Sequence, residues 1–123
     1  MGNVDVDAEG DYRVSFESAR VFVCPRPWSD DKSVVRIFSI TNTDVPVSSD
    51  LTRFLVTENF HLLFGHLAYS EVERSVWFVH NLLGDFLDED ELTTALRVVV
   101  TQANRYDDLI KEKFGGRLFS ETP

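Results

Sequence analysis

The sequence predicts a fold of the α+β class, with a mainly antiparallel sheet of about five strands, one short helix and one long C-terminal helix. Three observations predict it. Strand-like runs follow one another through connections too short for parallel crossovers, which take about a dozen residues or more. A single Ser-capped segment interrupts them. After the last strand the apolar period changes from two to 3.6 residues and holds that value for about 27 residues, roughly 40 Å of helix.

The opening, residues 1–11, carries Asp5, Asp7, Glu9 and Asp11 among few apolar side chains. It is too polar to bury much surface and is expected to fray or to form an edge. Residues 12–118 form one domain and 119–123 a tail. Within the domain Arg13 to Phe16 alternates and Arg20 to Cys24 is β-branched and aromatic. Only Glu17-Ser18-Ala19 separates them, which suits a hairpin or a bend. Pro25-Arg26-Pro27 is expected to end pairing, since neither proline donates an N–H. The next strand is expected from Val34 to Thr41, followed by turn chemistry in Asn42-Thr43-Asp44. Ser48-Ser49-Asp50 then offers caps for a short helix from Leu51 to about Thr57, with Leu51, Phe54 and Leu55 on one face. Two further strands are expected, Phe60 to Tyr69 and Ser75 to Leu83, joined by polar residues.

The long helix is signed at both ends. Asp88 suits the N-cap and Glu91 the third helical position, with Leu87 and Leu92 spaced as a hydrophobic staple. Leu92, Ala95, Leu96, Val99, Ala103, Tyr106 and Ile110 make one apolar stripe, and Gly115-Gly116 supplies a left-handed stop. Lys111 and Lys113 complement the negative end of the helix dipole.

The last two strands are apolar on both faces. Val76, Phe78 and Leu82 share one face while Trp77, Val79 and Leu83 share the other, and Phe60, Leu62 and Phe64 oppose Leu63 and Leu67. A half-exposed antiparallel strand would alternate with polar residues, so the sheet is read as covered twice. The long helix covers one face. The other needs the short helix, a sister subunit or a bound partner, because each aromatic side chain left in water forgoes about 2 kcal/mol.

Composition removes several function classes. Twelve Lys and Arg against 21 Asp and Glu give a net charge of −9, so nucleic acid or an anionic membrane would meet repulsion. No apolar run approaches the roughly 20 residues of a membrane span, and no signal peptide is recognisable. The single Cys24 sits in an apolar run, which points to a reduced, cytoplasmic protein with a small buried thiol.

Catalytic and metal chemistry find no motif. His61 and His66 fall on opposite faces of a strand, and His61 and His80, though candidate cross-strand neighbours, lack the further ligands of a zinc site. Asp85, Asp88, Glu89, Asp90 and Glu91 lack the spacing and central Gly of a calcium loop, and capping explains them. No serine lies in a nucleophile elbow and no carboxylates are paired as acid and base. Trp28, after two prolines, is either an anchor folded back on the sheet or an exposed contact residue.

Three segments carry a family resemblance. Asp50-Leu51-Thr52-Arg53-Phe54-Leu55-Val56-Thr57-Glu58-Asn59-Phe60, then Ser75-Val76-Trp77-Phe78-Val79-His80-Asn81-Leu82-Leu83-Gly84, then Tyr106-Asp107-Asp108 with Lys113-Phe114-Gly115-Gly116, resemble the YbjN-like bacterial domains, which are similar to class I type III secretion chaperones. The likeness spans roughly residues 21–116. It implies a twisted antiparallel sheet flanked by helices, commonly dimeric, with apolar surface that holds an extended client segment. It implies no catalytic residue and no cofactor. The chain departs from the secretion chaperones by beginning with an acidic, strand-like segment where they usually begin with a helix.

The function expected is therefore non-enzymatic: a bacterial, cytoplasmic, homodimeric domain that binds a polypeptide segment as a chaperone or adaptor. Candidate contacts are Trp77, Val79, Leu62, Phe64 and Trp28, and strand addition to an exposed edge is one mode of binding. The rival expectations are a regulatory or structural module docking on one fixed partner, and a small-molecule binder or enzyme using His61 and His80.

Overall fold

A computed structural model describes residues 4–6, 10–16 and 19–121. Seven strands and two α-helices follow in the order β1 (Val4–Val6), β2 (Tyr12–Phe16), β3 (Ala19–Ser29), β4 (Lys32–Thr43), α1 (Ser49–His61), β5 (His66–Ser70), β6 (Ser75–Leu83), α2 (Glu89–Phe114) and β7 (Arg117–Leu118). A 3-10 turn, Phe119–Glu121, ends the described chain. The strands form one antiparallel sheet in the order β1-β2-β3-β4-β6-β5, with β7 added beside β4. The α+β class and the antiparallel sheet are as the sequence predicts.

The long helix starts and stops where its caps require. The Glu91 amide donates to Asp88 Oδ1 at 2.8 Å, and the Gly115 amide, at φ 82°, closes on Lys111 O. Its stripe Ala95, Leu96, Val99, Ala103, Tyr106 and Ile110 is buried. That stripe packs on one face of the sheet, where Val21, Val23, Ile37, Leu67, Val76 and Phe78 point inward. Leu51 and Leu55 of α1 join the same core, so both helices lie on one side. Asn42 anchors the two layers: it is fully buried beside a register shift in β4, and its Nδ2 donates to Asp107 O at 2.8 Å.

Three expectations are corrected. Pairing does not end at Pro25-Arg26-Pro27, because β3 continues to Ser29 with Pro25 opposite Val35 and Pro27 opposite Ser33. Main-chain groups two residues apart point to the same side of a strand, so both prolines turn their missing N–H from β4 toward the edge beyond the end of β2, which has no strand partner among the described residues. The short helix begins at its Ser48 cap but runs to His61, four residues past Thr57. Phe60, Leu62 and Phe64 are consequently not on a strand: Phe60 is helical and 84% exposed, Leu62 caps the helix, and Phe64 lies in the turn before β5. His61 is likewise helical, so it is no cross-strand neighbour of His80, which pairs with Ile37.

The outer edge of β5 is closed by a side chain. Asn59 at the end of α1 accepts from Leu67 N at 2.7 Å and donates to Leu67 O at 3.0 Å. Its amide thus stands where the peptide group of another strand would pair.

Candidate functional site

Antiparallel partners share a face, so the residues opposite the helices can be read from the register. Phe22 pairs with Phe38, Phe38 with Val79, Val79 with His66, and Trp77 with both Ile40 and Ala68. These residues alternate with the inward-facing core positions, which puts them on the helix-free side. Three of the aromatics stack in a row across the strands. Phe22 and Phe38 have centroids 5.1 Å apart at 15°, and Phe38 and Trp77 are 4.8 Å apart at 26°. The guanidinium of Arg36 lies 5.7 Å from the Phe38 ring, and Trp77 Nε1 donates to Ser75 Oγ. Phe22, Phe38 and Trp77 are half-buried.

The five contact residues expected from sequence separate into three places. Trp77 and Val79 share the helix-free face, but Val79 is 1% exposed and forms its floor. Leu62 and Phe64 lie on the helix side, in a groove of about 430 Å³ between the α1–β5 turn and α2. Trp28 is 60% exposed at the β-bulge between Pro27 and Ser29. It stands about seven residues along β4 from Trp77, or roughly 23 Å at strand spacing. Phe22, Phe38 and Arg36, which complete the aromatic face, were not among the residues expected. The signal for them was present in the alternation of Arg36, Phe38 and Ile40 against Val35, Ile37 and Ser39.

On the helix side, Phe64 meets His80 edge-on at 6.1 Å. Burial, and then the nearby His66, hold the His80 imidazole below its usual range and favour the neutral ring. His80, Leu82, Phe64 and Val98 line a second groove of about 310 Å³ that shares Phe64, Thr94 and Val98 with the first. Beyond Val79, the last residue paired to β5, the outer edge of β6 has no strand partner among the described residues.

The described residues contain no group of three or more His, Cys, Asp or Glu side chains fit to hold a metal ion. None of the described helices is long and apolar enough to cross a membrane. What the surface offers is aromatic area beside a shallow depression on one side of the sheet, lined by Arg36, Trp77 and Val79, and a mixed apolar and charged groove on the other.

Comparisons with known proteins agree with that architecture. A family model described as T3SS (YopN, CesT) and YbjN peptide-binding chaperone 1, TY-Chap1, matches residues 1–122. A solved structure titled "Crystal Structure of the ExsC-ExsE Complex" superposes with a TM-score of 0.67 at 17% identity, over 89% of this chain and 82% of that one. At such identity the likeness speaks for the fold. No match is found among curated proteins.

Proposed function

The chain belongs to the TY-Chap1 family of T3SS and YbjN peptide-binding chaperones, and from that premise we propose that it binds a segment of another polypeptide on the helix-free face of its sheet. The observation that carries the reading is the row Phe22, Phe38 and Trp77, stacked across three strands and only half-buried. Covering such a row removes apolar area worth about 25 cal/mol per Å², and aromatic partners add geometry-dependent contact. Trp77 and Phe38 are the central contacts, Val79 supports them from below, and Trp28 serves a segment long enough to reach the bulge.

The proposal includes a non-enzymatic, cytoplasmic bacterial protein that acts as a homodimer. A single buried thiol, Cys24, suits a reducing compartment. Strand addition is disfavoured along β5, where Asn59 occupies the edge, and along the proline-bearing edge of β3. Away from the unpaired end of β6 beyond Val79, the segment is held chiefly by its side chains.

The test is affinity capture from the source bacterium with the full chain and with Phe38→Ser, together with the molar mass of each eluate. The expected result is a stoichiometric polypeptide on a dimer of the wild type, lost from the variant while circular dichroism and Tm show it folded. A partner retained undiminished by the folded variant would remove the sheet face from the reading. One folded partner, captured as an intact domain with no segment that binds alone, would favour the fixed-partner docking module instead.

A further inference from the structure

The outward side of α2 carries a second stripe besides the buried one. Thr94, Arg97, Val98, Thr101, Gln102 and Arg105 recur at three- and four-residue steps and form one wall of the groove whose other wall is His61 to Phe64. In a chain with 21 acidic residues and a net charge of −9, this groove is lined by two arginines and a histidine and by no carboxylate. Arg97 and Arg105 are exposed, and among the described residues neither has an ion-pair partner; Arg105 lies 5.2 Å from the ring of Tyr106. The continuation of the groove toward the start of α2 has the opposite sign, with Asp90 and Glu91 beside the apolar floor of Phe64, Leu82 and Val98.

Gln102 Oε1 is buried at the groove wall and has no hydrogen-bond partner among the described residues. An acceptor withdrawn from water in this way costs free energy until a donor reaches it.

We propose that this groove is a second polypeptide site, on the opposite side of the sheet from the aromatic face, and that its occupant is an acidic segment in a fixed direction. Its carboxylates lie over Arg97 and Arg105, its apolar side chains rest on Phe64, Leu82 and Val98, and its other end, free of acidic residues, passes Asp90 and Glu91. From Arg105 to Asp90 the groove follows fifteen residues of helix, about 22 Å, the length of roughly seven extended residues. The inference rests on the polypeptide-binding reading but not on where that reading puts its own contact. Opposed charges at the two ends supply orientation and encounter rate, while the apolar floor supplies residence.

The experiment uses two fluorescein-labelled peptides of about nine residues, one with three Glu followed by alternating Leu and Ser, the other with the Glu replaced by Lys. Anisotropy titrations are run on the full chain at low and high salt. The expected result is binding of the acidic peptide at least about tenfold tighter than the basic one, with the gap narrowing at high salt as exposed charges are screened. The Arg97→Glu/Arg105→Glu double variant, substituted at two solvent-facing helix positions, reverses the preference. Equal affinity for the two peptides, preference for the basic one, or no binding overturns the assignment. So does an acidic peptide that the double variant still holds but Phe38→Ser releases, an outcome that leaves polypeptide binding on the sheet face standing. A doubling of molar mass that the double variant abolishes, without peptide binding, would give the groove to a second copy and also overturn it.

Discussion

Replacing Asn59 by Ala tests whether one side chain closes the edge of the sheet. The substitution deletes two hydrogen bonds to Leu67, one donated to its carbonyl oxygen and one accepted from its amide. Bonds of this kind contribute about 1 kcal/mol each net, and Asn59 is half-buried, so water replaces them only in part. Asn59 is also helical, where Ala is the better residue by about 0.5 kcal/mol, which offsets part of the loss. The expected destabilisation is therefore about 1.5 kcal/mol, or roughly 6 °C in Tm for a domain of this size. Urea unfolding gives the free energy, and hydrogen exchange gives the location: the Leu67 amide should lose protection well before the amides paired between β4 and β6. Asn59→Asp serves as a second probe, since a carboxylate still accepts from Leu67 N but repels its carbonyl oxygen. Unchanged exchange at Leu67 in the Ala variant, or an Asp variant as stable as the wild type, would refute the reasoning.

Three further outcomes are expected. Burial raises the Asp107 carboxyl above its usual range, so its contribution is most favourable below the unfolded value of about 4 and declines as pH rises through the folded one. Asp107→Asn should accordingly raise Tm at neutral pH and lose that advantage in acid, as a thermal scan at several pH values would show. Asp11 behaves oppositely: its bidentate contact with Arg26 lowers its pKa, so the stability it adds is present above about pH 4 and disappears as acid protonates it. In Arg26→Met the acid limb of the stability curve should flatten. Gly65→Ala would place a methyl 2.6 Å from the Phe78 ring at a backbone φ of +75°, and the clash together with the left-handed strain should cost about 2–4 kcal/mol in chemical unfolding.

The parts of the fold that were legible in the sequence are those set by local chemistry. Asp88, Leu92 and Gly115 mark the ends and stripe of α2 because capping and helical period act within a few residues. The Ser48 cap was legible for the same reason. The far end of α1 was not, since Val56, Phe60 and Leu63 lie on its solvent side or just beyond it and blur the amphipathic pattern, 66%, 84% and 91% exposed. The continuation of β3 through two prolines depends on which edge is free, a property of β2 and not of the proline segment itself. The candidate contacts were separated by the same limit. Trp77 was legible as two-faced apolar strand, whereas its neighbours Phe22 and Phe38 come from other strands and are joined to it only by register. Leu62 and Phe64 have strand-like spacing, but the tertiary packing of α1 holds them in a cap and a turn.

The closed edges of β3 and β5 bear on how such a domain chooses what it holds. A bare strand edge reads only backbone, which every polypeptide has, and would pair with nascent chains and with other copies of itself. Here Pro25, Pro27 and the Asn59 amide occupy those generic positions along β3 and β5, so that only the end of β6 beyond Val79 is left unpaired there among the described residues, while rings and guanidinium groups are left outward on the faces. On the proposed reading, recognition then depends on the order of side chains in the incoming segment. On the reading proposed above, a folded variant with Asn59 removed should therefore pair more readily with unrelated extended segments than the wild type does.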